Sequence, residues 1–442
     1  MTAAATAVPW LPSELQEYHA AVAAAVQRIE PGAVPAWVAE VAANHEREID
    51  LGSICLYAGT NAMSPHARAM LSATLGSLPS MGPLGAKYQT GLRWIERLEV
   101  LAAEQAKRIF GARFAEVRLP SGSMANLAVY AALTRPGDTI VVVPERAGGH
   151  TSHHTHGMPG VRGLRVVEMP FDRGRMTVDV AGMREVVGRE RPALVVAGAS
   201  LMLAAHPVAE IADAAHAVGA KVLFDAAHVA GLVAGGCFQR PLAEGADVMT
   251  CSTYKSFGGP PGGLVVSDDE DVAEAVDRAA YPGLTANYDA SRLAALCVAE
   301  AEVLAFWGAY ARACMGNARA LADALAGEGF DVVGNGRSFT DSHHVALATG
   351  ALGGGAAVAG RLEAARILSS AIGLPDDAHG DRPTGVRLGT QAVSRWGLGP
   401  AEMTQIATRM ADVVLRGVPP ASVADAVREL REGFATVGYC FA

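Results

Sequence analysis

The stretch Lys221-Val222-Leu223-Phe224-Asp225-Ala226-Ala227-His228-Val229-Ala230-Gly231 reads as a short apolar strand that ends on a carboxylate and gives way to small residues. Runs of the same kind recur on both sides of it: Thr139–Val143, Leu164–Val167, Ala193–Ala197, Asp247–Thr250 and Gly263–Val266. Helical stretches such as Ser123–Leu133 and Pro207–Val218 separate them. Continuous rather than alternating apolar runs mean strands buried on both faces, and helices between them mean crossover connections. The pattern therefore predicts an α/β layout around a largely parallel sheet. An Asp at the carboxyl end of such a strand points into the crevice where α/β ligands bind, although capping of the next helix would use the same residue.

Two other segments carry matching chemistry. Ser252-Thr253-Tyr254-Lys255-Ser256-Phe257-Gly258-Gly259-Pro260-Pro261-Gly262-Gly263 places a lysine between hydroxyls and ahead of a glycine-rich turn. That suits an amine which must be positioned and partly desolvated to form a Schiff base, and glycines let backbone pass close to a flat ligand. An exposed lysine at a strand end is the plainer alternative. Ser121-Gly122-Ser123-Met124-Ala125-Asn126 follows a possible strand, Glu116–Leu119, and opens a helix. Its backbone N–H groups, hydroxyls and helix dipole suit a phosphate, or merely cap the helix. A Schiff-base lysine, a carboxylate able to keep a pyridine nitrogen protonated and a phosphate loop together predict pyridoxal 5′-phosphate as cofactor. Gly148–Gly157 holds four histidines within seven residues, but no Asp or Glu lies in the run, so the reading there is an imidazole against the cofactor ring and no metal.

Composition bounds the rest. The 442 residues are half hydrophobic and 18% charged, with a formal net charge of −9, so a globular chain of two or three units is expected, with no basic footprint for nucleic acid or an anionic membrane. Six scattered cysteines without a CxxC pair suggest reduced thiols in a cytoplasmic protein. No signal sequence is evident, and the apolar runs look too short for a bilayer. Residues 11 to 50 have helical spacing interrupted near Pro31 and Pro35, a helix from about 92 to 110 should end at Gly111, and a long helical stretch begins near Ala286. Short strands are expected at Asp331–Val333 and His344–Ala348, and a helix with a tail over Pro419–Ala442. The resulting division is a helical arm (1–60), a large domain (61–285) and a smaller C-terminal domain with its connecting helix (286–442).

In order, SGSMAN, GDTIVVV, AGGHTSHHTHG, FDAAHVAGLVAGG, STYKSFGGPPGG and GVRLGTQAVSRWG resemble serine hydroxymethyltransferase and its fold-type-I relatives, in register from about His45 to Val414. The resemblance implies the aspartate aminotransferase-like fold, with a mainly parallel seven-stranded sheet and a smaller α+β domain. By position, Lys255 matches the Schiff-base lysine, Asp225 the partner of the pyridine nitrogen, and His150 the ring-stacking histidine. His228 approaches the O3′ side, Ser121, Gly122 and Ser123 match the phosphate loop, and Ser200 falls among the cofactor contacts. Arg387 matches the arginine that grips the amino acid's carboxylate, a task that suits a guanidinium. Tyr88 and Gln89 fall in the segment expected to approach substrate, and a homodimer with shared sites is implied.

Departures from the resemblance concern folate. The family's Tyr-x-Glu-Gly segment corresponds to Pro79-Ser80-Met81-Gly82, so a methionine stands where a proton-transferring glutamate would be. The apolar pair that sandwiches the pteridine aligns with Glu145 and Thr151, and the segment Leu368–Ile372 lacks the folate-contacting asparagine. Tyr254 replaces the usual histidine before the lysine, and Pro261 an arginine in the following turn. A glutamate against a pteridine costs desolvation unless something pairs with it. The expectation is folate-independent cleavage or formation of the Cα–Cβ bond of a threonine- or serine-like amino acid, by an aldolase or a transaldolase that uses an aldehyde. His150, His228 and Tyr254 are the candidate bases. The alternatives are a tetrahydrofolate-dependent hydroxymethyltransferase with an altered folate site, another reaction at Cα, or a silent homologue acting as a binding subunit. Ala351–Pro383 aligns poorly and reads as a candidate lid.

Overall fold

The computed structural model of the chain describes residues 8–377 and 382–442. Residues 8–53 and 54–442 form separate compact units. The first holds two helices, Ser13–Val26 and Val34–His45, and the second of these takes Pro35 into its first turn, where proline's missing N–H costs nothing. The arm ends at Ser53 and not at residue 60, because Ile54 and Cys55 form a strand, β1, that pairs in parallel with a strand far along the chain.

The remaining strands, in chain order, are β2 (Phe114–Glu116), β3 (Thr139–Val142), β4 (Arg165–Glu168), β5 (Phe171–Asp172), β6 (Thr177–Val178), β7 (Leu194–Ala197), β8 (Lys221–Asp225) and β9 (Val248–Ser252). They continue with β10 (Gly263–Ser267), β11 (His344–Ala348), β12 (Ile367–Leu368), β13 (Ser370–Ile372) and β14 (Gly385–Gly389). Seven of them make one sheet in the order β2-β10-β9-β8-β7-β3-β4, in which β10 alone runs antiparallel to its neighbours. Every residue of β7, β9 and β10 is buried, which is why these strands read as unbroken apolar runs. Core side chains line both faces: Val195, Val222 and Phe224 with Met249 and Leu264 on one, and Leu194, Val196, Leu223 and Val248 on the other.

The helix Ala290–Glu328 spans 39 residues and joins two cores. Leu293, Leu296, Val303 and Trp307 pack into the core beneath the large sheet, and Leu321, Ala322 and Leu325 into a second core with Ile54, Val345, Val386 and Ile406. Contrary to the expectation that the apolar runs are too short, this helix is long and apolar enough to cross a membrane. Its apolar residues surround the axis because protein covers them, as in a buried core helix. Asp289 caps its start by accepting from the Ser291 and Arg292 amides, and Gly329, with φ +100°, ends it.

Around the second core, β11, β14 and β13 form an antiparallel sheet. The strand read at Asp331–Val333 reduces to a single bridge between Val332 and Leu347. Much of the candidate lid is framework: in the helix Gly355–Ala364, Val358 and Leu362 are fully buried, while β12 pairs with β1 and β13 with β14. Residues 378–381 of that segment lie outside the described residues. No disulfide joins any of the six cysteines, all of which lie among the described residues.

Candidate active site

In the large sheet β7, β8 and β9 end at the same edge, and each supplies a functional group there: Asp225 as the last residue of β8, Ser200 and Lys255 a few residues past the ends of β7 and β9. The antiparallel β10 begins at that edge with Gly263, whose backbone passes so close to the Ser121 carbonyl that a Cβ would collide with its oxygen. One recess there is lined by Ser121, Gly122, Ser123, His150, Asp225, Tyr254 and Lys255. The candidates drawn from four separate segments of sequence thus meet in one place.

Ser121 caps the helix Gly122–Leu133 by accepting from the Met124 amide at 3.2 Å. The first-turn amides and two serine hydroxyls at this helix start offer an anion donors and a favourable dipole. Asp225 is fixed from three sides. Its Oδ2 accepts from His153 Nε2 at 2.7 Å and from Asn126 Nδ2 at 2.9 Å, and its Oδ1 accepts from the Ala227 amide at 2.8 Å. Burial alone would raise its pKa, but the hydrogen bond donated by His153, with that from the Ala227 amide, prevails and holds the carboxyl well below the usual range. Asp225 is therefore a buried carboxylate whose Oδ1 retains a free lone pair.

Lys255 is buried, and desolvation outweighs the attraction of Asp225 and brings its pKa down to about 8, with Arg387 contributing in the same direction. Its Nζ stands 3.1 Å from His228 Nε2. His228 Nδ1 lies 3.2 Å from the Ala58 carbonyl, which can only accept, so the proton sits on Nδ1 and Nε2 presents a lone pair to the lysine. Burial, with Lys255 and Arg387 nearby, keeps this imidazole neutral. The Ala58 carbonyl is held in turn by its segment, because Gln391 Nε2 donates to the Tyr57 and Thr60 carbonyls on either side. His150 Nδ1 accepts from the Ser152 amide, which puts its proton on Nε2, and burial lowers its pKa to about 4, so it too is a neutral ring. Tyr254 is half-buried, and desolvation raises its pKa and keeps its hydroxyl protonated.

Arg387, on β14, donates from Nη1 to the Ser200 carbonyl at 2.6 Å and from Nη2 to Ser370 Oγ at 3.2 Å. It is buried, burial lowers its pKa to about 10, and its Nε and the nearby Ser200 Oγ have no protein partner. Among the described residues no carboxylate forms an ion pair with it. A buried guanidinium in that position is a receptor for a small anion such as a carboxylate.

The structure does not bring Tyr88 and Gln89 to this recess. Tyr88 is 82% exposed, and Gln89 Oε1 instead accepts from the Met81 amide across their own loop. That loop is pinned by Lys87, which donates to Glu99 Oε2 at 2.7 Å and to the Gly82 carbonyl at 2.8 Å in a nearly buried pair. Glu145 pairs at the surface with His156, whose Nε2 stands 3.1 Å from its Oε1. The four clustered histidines are thereby separated in role: His150 lines the recess, His153 holds Asp225, His154 Nε2 meets the Val143 carbonyl and His156 pairs with Glu145. The sequence reading missed His153, Asn126 and Ser370. The first follows His150 by three residues and the second closes the motif SGSMAN, but neither signal distinguishes a support from an ordinary core residue.

Taken together, the residues fit a flat phosphorylated aldehyde with a basic ring nitrogen. The helix start would hold the phosphate, the charged carboxylate with its free lone pair would accept from a protonated ring nitrogen, and the lysine able to lose its proton would bond to the aldehyde.

Comparison with known proteins gives three results. A family model described as serine hydroxymethyltransferase matches residues 37–410. Among curated proteins, an alpha-methylserine aldolase of Ralstonia sp is 42% identical over 96% of this chain and 97% of its own, and a serine hydroxymethyltransferase of Methanopyrus kandleri is 45% identical over 87% and 90%. Among solved structures, L-threonine transaldolase from Pseudomonas fluorescens, in its internal aldimine state, superimposes with a TM-score of 0.85 at 25% identity, over 97% of this chain and 96% of that one.

Proposed function

The chain belongs to the serine hydroxymethyltransferase family, and from that premise we propose a pyridoxal-phosphate enzyme that cleaves or forms the Cα–Cβ bond of β-hydroxy-α-amino acids without folate, with α-methylserine-type substrates foremost. The cofactor, when bound, supplies an electron sink for the pair left on Cα. Lys255 would hold it, Asp225 would keep its ring nitrogen protonated, and His150 would offer a neutral face. Arg387 binds the substrate's carboxylate through donors that no protein carboxylate satisfies.

Cleavage requires removal of the β-hydroxyl proton as Cα–Cβ breaks and an aldehyde leaves, followed by delivery of a proton to Cα. Of the three candidate bases His228 is favoured, because its Nε2 lone pair already faces the site, whereas His150 carries its proton on Nε2 and Tyr254 keeps its own. A quaternary Cα such as that of α-methylserine has no α-proton, so reactions that begin by removing one are closed to it and aldol cleavage is not.

The observation that carries the folate-free part is Glu145. Where the resemblance calls for an apolar side chain against a pteridine, a carboxylate stands paired with His156. The substrate part rests on alpha-methylserine aldolases of Ralstonia sp and Variovorax paradoxus, 42–44% identical over 96–98% of this chain. The reading includes a cytoplasmic homodimer in which the exposed Tyr88 serves a partner's recess. Six cysteines without a disulfide support the first part, and a loop that turns away from its own recess supports the second.

The test is to incubate holoenzyme with α-methylserine, L-threonine and L-serine, each with and without tetrahydrofolate, and to measure aldehyde and amino acid released. Aldehyde and alanine from α-methylserine without folate is the expected result. Turnover of serine alone, and only with folate, would replace this reading with that of a hydroxymethyltransferase.

A further inference from the structure

Tyr130 is fully buried on the helix Gly122–Leu133 and does not line the recess, yet its hydroxyl lies 2.5 Å from His153 Nδ1. Among the described residues that hydroxyl has no other hydrogen-bond partner. The opposite nitrogen of the same imidazole, Nε2, lies 2.7 Å from Asp225 Oδ2. A carboxylate can only accept, so Nε2 carries a proton. The state of Nδ1 is then the one variable in the chain. If Nδ1 were protonated as well, it would donate to the tyrosine oxygen, and the tyrosine's own hydrogen would be buried without an acceptor. If Nδ1 is bare, the tyrosine donates to it and every hydrogen is used. The second arrangement satisfies all the buried groups.

We infer that Tyr130 is a positioning residue: by donating to Nδ1 it holds His153 as the neutral Nε2–H tautomer, so that the charge of Asp225 is uncompensated within the protein and directed to the ring nitrogen of the bound cofactor. This rests on the cofactor assignment proposed above. A protonated His153 would form an ion pair with Asp225 and share that charge.

The surroundings are consistent with this role. From the same helix Asn126 donates to Asp225 Oδ2, and Thr250 on β9 donates to Asn126 Oδ1, so the amide's orientation is fixed and it adds no charge. From the loop that carries His153, His150 approaches with a ring-centroid distance of 6.3 Å as a neutral ring, and His154 is turned to the Val143 carbonyl. The cations that act on the neighbouring His150 are Lys255 and Arg387. Burial, reinforced by the negative charge of Asp225, raises the Tyr130 hydroxyl well above its ordinary pKa, which keeps it a donor.

The experiment reads the two nitrogens directly. In wild-type protein, ¹⁵N NMR of labelled histidine, with His153 assigned by its loss in His153→Gln, should show Nε2 protonated and Nδ1 bare. This can be done before any cofactor is added. In the holoenzyme reconstituted with ring-¹⁵N pyridoxal phosphate, the ring nitrogen should resonate in the protonated range, and Tyr130→Phe should move it toward the neutral range while the cofactor stays bound. In the His153→Gln background, where an amide N–H donor does not depend on Tyr130, adding Tyr130→Phe should produce no further shift. A doubly protonated His153 in the wild type, or an unchanged ring signal in cofactor-loaded Tyr130→Phe, would overturn the inference. Failure of wild-type protein to bind the cofactor would instead overturn the reading on which it rests.

Discussion

His228 Nε2 and Lys255 Nζ face each other at 3.1 Å, and the Ala58 carbonyl on the far side of the imidazole fixes which of the two supplies the lone pair. This relationship links three segments distant in sequence. The turn after β8 brings the histidine, the turn after β9 brings the lysine, and the backbone after β1 sets the tautomer. It gives the lysine a place to rest while its proton comes and goes.

Uptake of pyridoxal phosphate by the apoprotein should follow the neutral form of Lys255. Burial has lowered that amine's pKa to about 8 in the folded state, so the deprotonated fraction grows as pH rises to that value and is nearly complete a unit above it. Stopped-flow absorbance of cofactor binding should show the rate climbing through pH 7 to 8 and levelling above about 9. An ordinary lysine, with a pKa of about 10.4, would still be accelerating at pH 10. A rate still rising there would show that desolvation does not govern this group.

Asp225→Asn keeps the shape of the side chain and removes its charge. An amide cannot hold a pyridine nitrogen protonated, so kcat should fall by about 10²–10³, the scale on which one preorganised electrostatic contact acts. His153 and Asn126 would lose a carboxylate acceptor but keep an amide oxygen, so the fold should survive, as circular dichroism would show. An Asn variant within tenfold of wild type would remove Asp225 from the chemistry.

Arg387→Lys tests the substrate's carboxylate. A lysine cannot reproduce a planar fork that already donates to Ser200 and Ser370. Loss of a charge-assisted hydrogen bond costs about 1.5–3 kcal/mol, a rise in KM of roughly 10- to 100-fold. Cofactor affinity, read by dialysis, should change little. Equal losses in both would mean that Arg387 supports the cofactor pocket and does not bind substrate.

Much of this was legible in the sequence, because burial on both faces leaves a plain mark. The strands of the large sheet after β2 fall within a residue or two of their apolar runs, and the helix Arg93–Phe110 stops at Gly111, whose φ of +66° explains the break. The edge strand was harder to place. It was read at Glu116–Leu119 and lies at Phe114–Glu116, because the register that pairs Phe114 with Ser267 ends there and the Val117 carbonyl turns away to accept from Arg292. Lys255, Asp225 and Arg387 stood out by their type and position. His153 did not, since only the fold decides which of four histidines reaches a carboxylate 72 residues away. Nor could the sequence show that Tyr88 points to solvent, because that depends on the buried contact between Lys87 and Glu99.

That same blindness applies to Glu302 and Arg395, whose ion pair at 2.8 Å is wholly excluded from solvent. Glu302 lies on the helix that joins the two cores, and Arg395 follows β14. The guanidinium also donates to the Tyr439 carbonyl and lies 4.7 Å from the Trp307 ring, so one side chain ties the C-terminal tail to the long helix. Trp307 continues the connection by donating from Nε1 to the Ser256 carbonyl, next to Lys255. Removing one member of a buried pair strands the other's charge, which costs about 3–5 kcal/mol. Glu302→Ala should therefore lower stability by that amount in urea denaturation, and Arg395→Met added to it should recover part of the loss, because no buried charge then remains unpaired. If the double variant were less stable than Glu302→Ala, the arginine's contacts with Tyr439 and Trp307, and not the ion pair, would be what holds this region together.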